Sequence, residues 1–152
     1  SYYEIWLEGL TKLLRERGLV TDKDLWAQKV VDVAKPVKRV LKAEQVGGIL
    51  AAGSRYDRTA KSEPGFKLGD HVRTIAQTTK GHTRLPTYAR RKQGVVESVH
   101  GYHVFPDSSG MGQGDDPRWL YSIKFTAEEL WGKSSRDHVY IDLWEPYLES
   151  AT

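Results

Sequence analysis

The spacing of apolar residues changes once along this chain, from a helical period before Pro36 to strand-like alternation after Gly65. The two periods bury different faces and do not substitute for one another, so the chain must be a helical part followed by a sheet. In residues 2–17 the apolar positions Tyr2, Tyr3, Trp6, Leu7, Leu10, Leu13 and Leu14 recur at i, i+3, i+4 and i+7. Glu4, Glu8, Lys12, Arg15 and Glu16 fill the opposite side, which predicts an amphipathic helix closed by Gly18. Thr21 and Asp24 then make a capping box with Asp in place of Glu. It opens a second helix expected to run to about Ala34, with Leu25, Trp26, Val30 and Val33 as its apolar set, until Pro36 stops it. A helical hairpin is expected.

Beyond Pro36, Val37, Val40 and Leu41 suggest one further short helical stretch. Gly47-Gly48, Gly53-Ser54 and Pro64-Gly65 show little periodicity and read as a tether. Residues 1–46 are thus expected to be a helical arm, 47–65 a linker and 66–152 a separate domain. In that domain five short strands are expected, centred on residues 66–75, 94–99, 102–106, 119–125 and 138–144. Ala127-Glu128-Glu129-Leu130 offers one helical turn between the last two. Gly69-Asp70 before Val72-Arg73, followed by Gly94-Val95-Val96, is how many SH3-like barrels begin. The expected class is α+β, a helical hairpin arm followed by a small SH3-like β-barrel.

Composition excludes several functions. The 152 residues contain no cysteine, which removes disulfides, thiolate metal ligands and a cysteine nucleophile from this chain. The five histidines show no close metal-ligand spacing, and no phosphate loop or Ser/His/Asp set stands out. No apolar run approaches a membrane span, and the N-terminus has no basic segment leading into an apolar core. A soluble, cytoplasmic protein is the expectation. The net charge of +3 is modest for a nucleic-acid binder. Five Trp and eight Tyr are more telling, because such side chains favour interfaces. Tyr2 and Trp6 lie four apart on one helical face, which a partner subunit is expected to cover.

Residues 81–92 carry the densest chemistry: Gly81-His82-Thr83-Arg84-Leu85-Pro86, then Tyr88, Arg90, Arg91 and Lys92. Taken bare, they are a solvated loop, a phosphate-gripping patch with Tyr88 as a base platform, or the mount of an arginine aimed into a partner's polar site. A guanidinium's rigid fork of donors suits oxyanions, which is the chemistry of the third reading.

In order along the chain, these features resemble the β subunit of nitrile hydratase. The similarity includes Tyr2-Tyr3-x-x-Trp6, residues 16–21, Phe66-x-x-Gly69-Asp70-x-Val72-Arg73 and Gly81-His82-x-Arg84-x-Pro86-x-Tyr88-x-Arg90. It continues through Phe105-Pro106-Asp107, residues 120–132 and Asp142-x-Trp144-Glu145-Pro146-Tyr147-Leu148-Glu149. Thiocyanate hydrolase is similar, less closely.

The resemblance implies hydration of a nitrile to its amide at a low-spin Co(III) or Fe(III) centre. It places every metal ligand, two of them oxidised cysteines, on a Cys-rich α subunit. This chain is then expected to bind no metal and to be inactive alone. Arg84 corresponds to an arginine that hydrogen-bonds the oxidised cysteines, Tyr2 to the pocket tyrosine and Trp6 to the substrate wall. The family's β subunit begins with further residues, including an arm around the α subunit. Either this sequence is part of a longer β subunit or the subunit is split, and the preferred expectation is a separate chain equivalent to that N-terminal segment, as in thiocyanate hydrolase and toyocamycin nitrile hydratase. Three other readings are a thiocyanate hydrolase subunit, an SH3-like RNA-binding module and a metallochaperone related to the family's activators.

Overall fold

A computed structural model describes residues 1–33, 35–76, 81–132 and 134–151. The chain divides into two compact units, residues 1–53 and 54–152.

In the first unit, helix α1 spans Tyr2–Glu16. Ser1 caps it: the Glu4 N–H, which has no partner inside the helix, donates to Ser1 Oγ, and the Glu4 carboxylate accepts from the Ser1 terminal ammonium. Gly18, at φ +64°, closes it. Its N–H donates to the Arg15 carbonyl and the Leu19 N–H to the Leu14 carbonyl, each at 2.9 Å, the paired pattern of a glycine-terminated helix. No residue of α1 is buried; Tyr2, Ile5, Trp6 and Leu7 are about two-thirds exposed or more. An ion pair from Arg15 to Asp22, 2.8 Å, spans the turn into α2, Asp22–Ala27.

Helix α2 is much shorter than its periodicity predicted, and the expected end at Ala34 lies outside the described residues. Thr21 and Asp24 form the predicted box, but the Asp24 carboxylate has further acceptor capacity. It takes the N–H groups of Val31 at 2.6 Å and Asp32 at 3.3 Å, folding the chain back after Gln28 at φ +50°. Val30 and Val33 fall outside the helix and are exposed. No helix forms over residues 37–41. Helix α3, Ala43–Ala52, instead runs through the Gly47-Gly48 pair that read as a tether.

The second unit is a five-stranded antiparallel sheet in the order β4-β3-β2-β1-β5. Its strands are β1, His71–Thr74; β2, Gln93–His103; β3, Arg118–Thr126; β4, His138–Trp144; and β5, Leu148–Ser150. Two short helices, α4 (Pro106–Ser109) and α5 (Ala127–Trp131), and 3₁₀ turns at Thr87–Ala89 and Glu145–Tyr147 connect them. The expected second and third strands are one. Register shifts between Val96 and Ser98 and between Val99 and Gly101 break the alternation without ending the β2–β3 ladder.

The expected closed barrel does not form. Among the described residues no ladder joins β4 to β5, and both are edges. The sheet is nonetheless strongly curled. Trp144 ends β4 at one edge and Leu148 begins β5 at the other, four residues later. Four residues reach at most about 14 Å, whereas the outer strands of a flat five-stranded sheet lie roughly 19 Å apart. Strand β5 is only three residues long; it pairs with β1 along one edge and offers too short an outer edge to zip the seam.

The core fills the concave side. Val72, Val96, Tyr121, Ile123, Phe125 and Leu143 are essentially fully buried, with Leu85, Ala89, Leu130 and Tyr147 added from the connections. Gly94 is dictated by close approach: a Cβ there would stand 2.7 Å from Ile123 Cγ2 and 2.9 Å from the Lys124 carbonyl oxygen. The first strand is shorter than the expected 66–75, because a turn precedes it, with the Lys67 N–H on Asp70 Oδ2 at 2.8 Å and Gly69 at φ +86°. Among the described residues no helix is long and apolar enough to cross a membrane.

Gly94→Ala is expected to lower unfolding free energy by about 1–3 kcal/mol through overpacking, read from denaturant midpoints. An unchanged midpoint contradicts the close approach. A second expectation concerns Asp24. Hydrogen bonds from Val31, then Thr21 and Asp32, hold its carboxyl well below the usual carboxylate range. A depressed folded pKa stabilises above the ordinary value of 3.8 and is lost as pH falls below it. The Val31 and Asp32 amide signals should therefore stay fixed on acidification through about pH 4, where an ordinary carboxylate titrates, and shift only well below it; a midpoint at about pH 4 contradicts the capture. Opening near neutral pH contradicts this.

Candidate functional site

The loop of residues 81–92 leaves the sheet after β1 and returns into β2, and the core holds it along its length. Leu85 is 3% exposed and Ala89 fully buried, so the loop drops two apolar anchors into the concave side. Two hydroxyls fix its ends. Near the start, the Arg84 N–H donates to Tyr147 Oη at 3.0 Å, and the Thr83 hydroxyl lies 3.4 Å from the same oxygen. The phenol itself donates to the Asp107 carboxylate in α4. Burial, reinforced by that carboxylate, pushes the Tyr147 phenol up to about 12, so it stays protonated near neutrality.

At the far end Thr74, 1% exposed, does the equivalent job. Its hydroxyl donates to the Ala89 carbonyl and accepts the Lys92 N–H at 2.9 Å. The Thr74 carbonyl accepts the Arg91 N–H at 3.1 Å, with Arg91 in the left-handed region at φ +57°.

Beside this loop a cleft of about 680 Å³ opens to solvent, lined among others by Tyr56, His82, Arg84, His103, Asp142 and Trp144. Arg84 is exposed. Among the described residues its guanidinium has neither a carboxylate within ion-pair distance nor a hydrogen-bond acceptor. The backbone is fixed and the charged head is unspent. Such a group can donate in parallel to an anionic oxygen pair brought from outside.

The neighbouring basic residues are used differently. Lys92 Nζ donates to the Glu129 carbonyl at 2.6 Å, and Arg90 is half-buried with its Nε out of water. Tyr88 packs its ring on Trp131 at 6.2 Å rather than standing clear as a platform for a base. The loop does not present a stripe of cations. His100 pairs with Asp142 at 3.2 Å, and His103 Nε2 lies 3.4 Å from the His100 carbonyl. Among the described residues no three His, Cys, Asp or Glu side chains gather to hold a metal ion.

In the helical unit, α1 brings Tyr2 and Trp6 together, ring centroids 6.2 Å apart in an edge-on arrangement. Trp6 also lines an apolar hollow with Ile5, Gly9, Leu10 and Leu13. Of the residues that anchor the Arg84 loop, Asp107 and Tyr147 entered the sequence analysis only within longer motifs, and neither they nor Thr74 were assigned to the site. The signal for Tyr147 was partial: a phenol in a Pro-containing turn that follows an apolar strand needs a partner for its oxygen wherever that turn is buried.

Thr74→Val keeps the shape at that position but leaves the Lys92 N–H and the Ala89 carbonyl unpaired. A loss of about 1–3 kcal/mol in unfolding free energy is expected, with faster amide exchange at Lys92. Unchanged stability and exchange would contradict the anchoring role.

Comparison with known proteins identifies the family. The family described as nitrile hydratase beta subunit, N-terminal, matches residues 1–46, and its C-terminal counterpart matches residues 55–150. The chain is 36% identical to nitrile hydratase subunit beta of Pseudomonas putida, over 99% of this chain and 70% of that one. It is 44% identical to the cobalt-containing nitrile hydratase subunit beta of Pseudonocardia thermophila, over 70% of this chain but only 45% of the other. The solved thiocyanate hydrolase apo-enzyme from Thiobacillus thioparus is similar with a TM-score of 0.60 at 25% identity, over 75% of this chain and all of the other. By both halves of its sequence, the chain belongs to the nitrile hydratase β-subunit family.

Proposed function

We propose that this chain is the β-type subunit of an enzyme that hydrates a nitrile to its amide, active in complex with a metal-binding α subunit. The observation that carries the reading is the guanidinium of Arg84, without a partner among the described residues and exposed beside an open cleft on a backbone pinned by buried hydroxyls. The names of the family's members, two of them cobalt-containing, support a metal in the complex. The described residues of this chain offer no ligand set, so the reading places the metal on the partner. Bound there, Co(III) or Fe(III) supplies Lewis-acid chemistry toward the nitrile.

This chain's own residues hold, orient and enclose. Arg84 donates its N–H groups to the oxygens of the partner's oxidised cysteines. A charge-assisted, bidentate contact fixes their geometry and withdraws charge from them. Tyr2 offers its hydroxyl as a donor near the reacting centre. Trp6, set edge-on to Tyr2, forms a rigid apolar wall for the substrate's side chain. Two aromatic rings left at about two-thirds exposure on one face suit that use better than solvent contact.

A second reading, thiocyanate hydrolysis, draws support from the solved thiocyanate hydrolase that this chain matches over that protein's full length. The products separate the two: an amide from a nitrile, or carbonyl sulfide from thiocyanate.

Arg84→Lys in the assembled, metal-loaded enzyme tests the central role. An ammonium keeps the charge and loses the fork, so kcat should fall about tenfold or more with metal content unchanged. Full activity in that variant contradicts the assignment.

A further inference from the structure

We infer that Tyr147, backed by the Asp107 carboxylate, is a positioning residue that fixes the backbone of Arg84 and so sets where its guanidinium lies. The inference rests on the reading of Arg84 as the donor to the partner's anionic group. A phenol oxygen carries one proton and two lone pairs. At Tyr147 the proton goes to Asp107, and the lone pairs face the Arg84 N–H at 3.0 Å and the Thr83 hydroxyl at 3.4 Å. Its hydrogen-bonding capacity is filled by residues from two separate segments. The Thr83 oxygen in turn accepts the Leu85 N–H at 3.2 Å, so three consecutive residues of the loop are fixed through this one oxygen.

The mount is rigid because the ring belongs to the core. Tyr147 is 2% exposed and packs against Phe105 at 5.6 Å between ring centroids. Phe105 immediately precedes Pro106, the first residue of the turn that carries Asp107. The acceptor and the ring's packing partner therefore move together. The oxygen that receives the Arg84 N–H cannot drift without displacing either the core or α4. A freely rotating Arg84 backbone would spread the guanidinium over several ångströms, and a shift of about 1 Å is enough to cost a positioned catalytic contact much of its effect.

Tyr147→Phe separates this role from packing, because it keeps the ring and removes only the oxygen. Amide exchange in the full chain reads the backbone directly. The Arg84 amide should exchange about tenfold faster or more, while core amides such as Ile123 and Val96 stay unchanged. In the assembled enzyme the same variant should lose about tenfold in kcat at an unchanged KM. Asp107→Asn still offers the phenol an acceptor and should retain most of the activity. Unchanged exchange at Arg84 overturns the inference, and so does a parallel rise at the core amides, which would mark a merely structural role. Faster exchange with kcat intact, while Arg84→Lys is impaired, overturns it as well. An unimpaired Arg84→Lys instead removes the reading of Arg84 itself, and the exchange data then still report whether Tyr147 holds the loop.

Discussion

Three residues must carry the chain from one edge of a five-stranded sheet to the other, and the rest of the second unit is arranged around that step. The 3₁₀ turn Glu145–Tyr147 makes the crossing, which is feasible only because the sheet curls until its edges approach. The curl is prepared in β2, whose two register shifts bend it enough to pair with β1 at one end and β3 along most of its length. It is tightened where Gly94 lets β2 settle onto Ile123 and Phe125. The same turn places two polar side chains at the rim of the core. Glu145 accepts the phenol proton of Tyr121 and the Gly65 N–H, tying the start of the unit to its end. Tyr147 faces the basic loop.

Polar groups in this unit thus divide into those spent on the fold and those left over. Thr74, Tyr121, Tyr147, Asp107 and Glu145 are committed to buried or half-buried hydrogen bonds, where removing one partner costs more than the bond is worth in isolation. Among the described residues, the Arg84 guanidinium has no such partner. An exposed arginine without a partner contributes little to stability, whereas against a partner's oxyanion it forms its strongest kind of contact. The absence of cysteine belongs to the same division of labour under the proposed reading: one polypeptide holds the metal and its oxidised ligands, the other supplies walls and donors.

The sequence made legible those elements whose ends are written locally. Helix α1 was readable because its periodic face and Gly18 are all within a few residues of the helix itself. Strand β4 was readable from its turn residues and alternation. What failed were features settled at longer range. The end of α2 depends on Asp24 capturing amides seven and eight residues on, which no helical pattern reveals. Strand β5 is three residues long and exists because β1 offers it a ladder. One strand read as two because its bulges, with Gly101 at φ +118°, interrupt the alternation. Arg84 stood out only as one of several basic residues until the motif around it singled it out. Thr74, Asp107 and Tyr147, which hold that loop, are scattered over more than seventy positions and meet only in the folded chain.

The claim on which the account turns is that this chain completes a metal site it does not own. Native mass spectrometry with metal analysis, applied to the isolated chain and to the complex formed with a Cys-rich partner subunit, addresses it most directly. The account predicts no metal and no nitrile hydration with the chain alone. The complex should carry cobalt or iron in proportion to the partner and release amide from a nitrile. Metal retained by the isolated chain, hydration of a nitrile by it alone, or failure to associate with any such subunit contradicts the account.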